Sequence, residues 1–196
     1  MDNYLSFFKL LNNLFNVIYF NVSKYMAAIF KNTSLILIFL SLMACKDNPS
    51  DGASDIPIGL RVGNKAPMFT TYDINGMYIS LADFKGSVVL LHFWATWCPY
   101  SRNSIGNLIY IWDNYASRNF AIISVSRDYD TTALRNYIQT HNLNWRHIHD
   151  SRYDVGQFYD VKVIPMCYLI DSQGIIRFAG SPLEPQLLQI IDKLIK

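Results

Sequence analysis

The chain of 196 residues is poor in cysteine, in charge and in repetition. Three cysteines, Cys45, Cys98 and Cys167, are too few for a disulfide framework. Charged residues make up 16% of the chain and hydrophobic residues 51%, which excludes bulk disorder and supplies one ordinary domain with a real core. There is no internal repeat and no glycine-rich motif of the kind that cradles phosphate. No apolar stretch reaches the roughly 20 residues that a bilayer-spanning helix needs.

What is present first is a distinct leader. The segment KNTSLILIFLSLMAC, Lys31 to Cys45, joins a basic flank to an apolar run from Leu35 to Leu42. That run fits the hydrophobic region of a signal peptide. Its ending, LMAC, resembles a bacterial lipobox, which implies cleavage before Cys45 and a lipid on that cysteine. Met26 opens a leader of the usual compact shape. Residues 1–44 therefore read as a signal peptide whose true start is Met26, with an uncleaved N-terminal anchor as the alternative. Residues 45–59, rich in Pro, Gly, Ser and Asp, read as a tether. The expected product is a membrane-anchored lipoprotein of the cell envelope, facing the periplasm or the exterior, with a globular domain over 60–196. Only Lys9, Lys24, Lys31 and Asp2 are the charged residues ahead of Cys45, so 14 basic and 14 acidic residues follow it. A formally neutral product argues against nucleic acid as a partner.

The domain alternates strand and helix signals. Two short alternating runs flank Asn75-Gly76, a hairpin signal. SVVLLHFWA, 87–95, and FAIISVS, 120–126, read as strands buried on both faces. A helix is expected over 99–118, with Ile105, Leu108, Ile109, Trp112 and Tyr115 at helical spacing. A second follows Asp130 as N-cap, with Leu134, Tyr137, Ile138 and His141 on one face. WRHIHD reads as a short strand, YDVGQFYDV as a helical turn, and MCYLID-SQG-IIRFAG as a hairpin. A last helix, capped by Ser181, points Leu187, Leu188, Ile191, Leu194 and Ile195 inward. This order predicts an α/β fold: a mixed sheet with helices on both faces.

Cys98 falls where strand 87–95 gives way to a helix. Free N–H groups and peptide dipoles at a helix start stabilise negative charge, and the thiolate is the nucleophile. Pro99 suits the first helical turn, where its missing N–H costs nothing. The segment FWATWCPYSR resembles the active site of the thioredoxin superfamily, in particular its membrane-tethered extracytoplasmic TlpA/ResA-type branch. The resemblance spans roughly 60–196. It includes the opening hairpin and strand, a strand-helix insertion between 120 and 150, and VIPMCYLIDSQGIIRFAG as the proline loop and terminal hairpin. It implies a thioredoxin-like fold and thiol-disulfide exchange with Cys98 as nucleophile. It also implies a cis-proline at Pro165, and a surface of Trp97, Pro99, Tyr100 and Ile164 that receives the backbone of a partner. It implies no cofactor.

The sequence departs from that branch in three places. Ser101 replaces the second cysteine of C-x-x-C, and a hydroxyl cannot resolve a mixed disulfide. Ser101 can donate a hydrogen bond to the Cys98 thiolate. Ser104 and Gly106 stand where the branch carries Glu and Pro, which puts the acidic contribution and a helix kink in doubt. His92 matches a position where thioredoxins often bury a proton-moving Asp. A histidine there is either a proton shuttle near neutral pH or a hydrogen-bonded core residue.

Cys167 lies two residues past Pro165, about 6.5 Å further along a strand, at the edge of the roughly 7 Å Cα separation that a disulfide allows. It reads as a buried structural cysteine or, alternatively, as a second thiol that resolves Cys98. His141, His147 and His149 have no carboxylate or cysteine at metal spacing, so they read as surface or edge-strand residues and no metal is expected. Asp171 to Gly174 is a hairpin turn rather than a calcium loop.

Two functions compete. One is monothiol exchange through Cys98 with exported proteins or small thiols bearing disulfides, regenerated by an external thiol. The other is a redox-inactive module that binds peptide segments of exported proteins. A peroxidase fits less well, because the Thr/Pro context of a peroxidatic cysteine is missing.

Overall fold

The computed structural model describes residues 56–195. The signal peptide, Met26, Cys45 and most of the tether lie outside the described residues. Two short strands, β1 (Thr70–Tyr72) and β2 (Tyr78–Ser80), form an antiparallel hairpin. Gly76 sits at φ 76°, and Asp73 Oδ1 accepts the N–H groups of Asn75 and Met77 at 2.9 Å. The Asn-Gly signal thus works as expected, because only residues tolerant of positive φ close so tight a turn.

Five further strands make the main sheet: β3 (Val88–Trp94), β4 (Phe120–Ser126), β5 (Arg146–His149), β6 (Met166–Ile170) and β7 (Ile176–Gly180), in the order β5-β4-β3-β6-β7. β3, β4 and β5 run parallel, and β6 and β7 fold back antiparallel. All seven residues of β3 are buried, as a central strand covered on both faces requires. Its even-numbered residues Val88, Leu90 and Trp94 pack with α1 (Pro99–Tyr115), α2 (Thr131–Thr140) and α4 (Pro185–Leu194). Its odd-numbered residues Val89, Leu91 and Phe93 pack with Phe69, Ile79 and Leu81 of the hairpin region, and with Val155 and Tyr159 at α3 (Asp154–Phe158). The mixed sheet with helices on both faces is therefore present, the second face carrying one short helix and the hairpin.

Three details differ from expectation. α1 ends at Tyr115 rather than 118, and Asn119, at φ 54°, turns the chain into β4. α4 starts at Pro185 with Glu184 as its N-cap, not Ser181. A residue before proline is pushed out of the α region, so Glu184 stays extended and Ser181 only builds the preceding turn. β5 is an edge strand, yet His147 is buried, because Ile74 N–H donates to the His147 carbonyl at 2.8 Å and the hairpin covers that edge.

Candidate active site around Cys98

Cys98 is the N-cap of α1. Residues Ala95 to Cys98 form a turn closed by Cys98 N–H on the Ala95 carbonyl at 3.2 Å. That turn lifts the chain from the end of β3 to the start of the helix, which places Cys98 at the positive end of the helix dipole, although its side chain makes no capping hydrogen bond. The thiol is 7% exposed, and Sγ lies 3.8 Å from the Ile164 carbonyl, to which it donates. The Ile164–Pro165 peptide bond is cis. The fold thus brings Cys98, Ile164 and Pro165 together across 66 residues of chain. Around them Trp97, Pro99 and Tyr100 are exposed, and Trp97, 52% exposed, stacks on Tyr129 with ring centroids 6.4 Å apart.

Ser101 and His92 sit beneath this surface, both wholly buried. Ser101 Oγ has no hydrogen-bond partner, so it makes no bond to the Cys98 thiol. Ser104 Oγ turns inward to the Ser101 carbonyl at 2.7 Å. Gly106 does not interrupt α1, which runs unbroken over 17 residues.

His92 Nδ1 lies 3.3 Å from Ser124 Oγ, which also accepts from Trp145 Nε1 at 2.9 Å. Burial, and secondarily the nearby His147, push the His92 ring down to about 3. It is therefore neutral at neutral pH, which removes the argument for a charge switch near pH 7 and leaves the hydrogen-bonded core residue. His147 is pushed down to about 4, again chiefly by burial. Among the described residues no cluster of His, Cys, Asp or Glu is arranged to hold a metal ion.

Cys167 pairs across the sheet with His92 and is wholly buried. Its Sγ donates to the Gly180 carbonyl of β7 at 3.3 Å, and burial, then Glu184, push its thiol up. The two sulfurs face different carbonyls, so the geometry does not set Cys167 up to resolve Cys98. A same-face position two residues beyond Pro165 overlooked the β6–β7 pairing, which draws the thiol towards β7.

The sequence reasoning missed Asp128. Its carboxylate, 2% exposed, accepts Thr96 N–H at 3.1 Å, Thr96 Oγ1–H at 2.5 Å and Ser126 Oγ–H at 2.6 Å. An acid two residues past an apolar strand, beside Tyr129, was the available signal.

A sheet of this order, with a cysteine capping the helix after its central strand and a cis-proline against the sulfur, defines a thioredoxin-like protein. A sequence profile of the AhpC/TSA family matches residues 62–179, and the chain belongs to that family. It is 28% identical over 137 residues to a thiol-disulfide oxidoreductase ResA of Bacillus thuringiensis subsp. konkukian, a match covering 69% of this chain and 79% of the relative. It is 29% identical over 140 residues to the thioredoxin-like protein YneN of Bacillus subtilis, covering 69% and 81%. The thioredoxin domain of a thiol-disulfide oxidoreductase from Bacteroides vulgatus superposes with a TM-score of 0.63 at 28% identity, over 70% of this chain and all of that domain. The ResA-type resemblance read from the sequence therefore holds.

Proposed function

We propose that this chain is a thiol-disulfide oxidoreductase that works by a monothiol route through Cys98, held at the outer side of a membrane by a lipid on Cys45. The observation that carries the reading is the sulfur at the start of α1, 3.8 Å from the Ile164 carbonyl beside Pro165, with no second sulfur within the C-x-x-S turn. The Cys98 thiolate attacks one sulfur of a disulfide in an exported protein or small thiol. A Cys98 mixed disulfide forms, and the other sulfur leaves as a thiolate that takes up a proton from water. An external thiol, as its thiolate, then attacks the substrate sulfur of the mixed disulfide. That step frees Cys98 and pairs the substrate sulfur with the external one, so one disulfide is consumed and one is made. Among the described residues no helix is long and apolar enough to cross a membrane, and the anchor is assigned to the leader instead.

The test compares two reactions of the full chain: a peptide–glutathione mixed disulfide with glutathione, and insulin with dithiothreitol. Turnover of the first alone is expected. No turnover in either, with peptide still bound, would favour the binding module, a reading that the exposed rings of Trp97, Tyr100 and Tyr129 also suit. Cys98→Ser is expected to abolish every adduct, and Cys167→Ser to leave adducts intact. An adduct that survives Cys98→Ser would remove the nucleophile from this assignment.

A further inference from the structure

The turn that carries the nucleophile is clamped on two sides. On one side the buried Asp128 carboxylate takes both donors of Thr96, its N–H at 3.1 Å to each oxygen and its hydroxyl at 2.5 Å. On the other side Arg102 Nη1, reaching back from α1, donates to the Thr96 carbonyl at 2.8 Å. Thr96 is a central residue of the Ala95–Cys98 turn, two positions ahead of the sulfur, so whatever fixes its peptide planes fixes where Cys98 enters the helix.

Asp128 is itself anchored. Ser126 Oγ donates to its carboxylate at 2.6 Å and accepts its N–H at 3.0 Å. Its carbonyl lies 2.7 Å from His149 Nε2, and His149 Nδ1 lies 3.0 Å from Thr131 Oγ1 at the start of α2. The neighbouring Arg127 N–H donates to the Trp94 carbonyl at 2.9 Å, tying the same loop to the end of β3. Tyr129, next in sequence and 92% exposed, stacks on Trp97, next to the sulfur. Three consecutive residues, 127 to 129, thus hold residues 94, 96 and 97 on the strand, the turn and the rim. A buried carboxylate that pairs with no cation among the described residues is costly, and here its compensation comes from neutral donors, most of them on Thr96.

We infer that Asp128 is a positioning residue for Cys98: through Thr96 it sets the sulfur in line with the cis-Pro165 surface, so that a partner disulfide is met in a reactive geometry. The inference rests on the assignment of Cys98 as nucleophile. Small displacements of reacting atoms cost rate far more than binding, so the defect belongs in the rate of attack.

The experiment follows a single turnover with the full chain. Reduced protein is mixed with an aromatic disulfide such as 5,5′-dithiobis(2-nitrobenzoate), and the released thiolate is recorded against pH. This reaction needs only a competent Cys98 and no physiological partner, so the proposed function can fail while this test stands. Asp128→Ala is expected to lower the high-pH plateau rate by about tenfold or more. Asp128→Asn, which retains an acceptor for Thr96 N–H, is expected to recover most of it. Tyr115→Phe, which removes a hydrogen bond to Asp192 at the far end of α1, is expected to leave the plateau within about twofold of the parent, as a change remote from the turn should. A plateau for Asp128→Ala within about twofold of the parent overturns the proposal. So does an equal loss in Tyr115→Phe, since that marks general loosening. Should Asp128→Ala fail to fold, Thr96→Val decides: losing one hydrogen bond is expected to slow attack about fivefold, and an unchanged plateau refutes the clamp.

Discussion

At the scale of single residues, burial keeps two imidazoles, His92 and His147, uncharged near neutral pH. His92 and His147 lie in the sheet near one another, the first pushed down to about 3 and the second to about 4 by burial. An unfolded imidazole takes up its proton near 6.5, so below that pH the unfolded chain binds more protons than the folded one. The stability from these rings is complete above pH 6.5 and is lost as the pH falls towards 4 and 3. At pH 5 each ring is expected to cost about 2 kcal/mol relative to pH 7.5. Urea denaturation at the two pH values should show a clear drop in midpoint, and His92→Gln should remove about half of the difference. Equal midpoints would mean that the rings are wet. The same burial explains why His92 could not be read correctly from its neighbours. Its match to a buried acid was legible, but the direction of its titration depends on the wall of side chains that α1 lays over β3 and β4.

At the scale of elements, α1 and the β1–β2 hairpin each carry a local choice that can be measured. Gly106 is helical and exposed, and a Cβ added there meets nothing within 4 Å. Gly106→Ala is expected to raise stability by about 1 kcal/mol, read as a higher urea midpoint with an unchanged slope. The hairpin serves as a cover for β5. Asp73 accepts two N–H groups in its own turn and pairs with Arg146 of β5 at 3.1 Å. Asp73→Ala is expected to cost about 2–4 kcal/mol, and to raise hydrogen exchange at Ile74 N–H before the rest of the sheet opens. Asn75-Gly76 announced the turn itself. Its docking on the His147 carbonyl could not be foreseen, since nothing local to residues 73–77 encodes which strand becomes the neighbouring edge.

At the scale of the whole molecule, the two cores on either side of the sheet hold Cys98 beyond the end of the central strand, 7% exposed, with Ser101 in the place of a second sulfur. Ser101 is wholly buried with an unpaired hydroxyl, so a sulfur of similar size should be tolerated there. Ser101→Cys is expected to fold as well as the parent and to gain insulin reduction in the presence of dithiothreitol; a folded variant without that activity would place the deficiency elsewhere in the site. The sequence by itself determined the order of elements, the mixed sheet, the junction that carries Cys98 and the proline loop of Pro165. These are recorded in periodicity, in turn residues and in motifs a few residues long, and each acts over the distance of its own segment. Only the tertiary structure decided that Cys167 turns to Gly180, that His92 stays neutral, that Glu184 rather than Ser181 starts α4, and that Asp128 grips Thr96. Most of these depend on which strands and helices become neighbours, a matter settled by packing across 13 to 32 residues of intervening chain. The helix start is the exception, fixed locally by Pro185 once the preceding turn has closed.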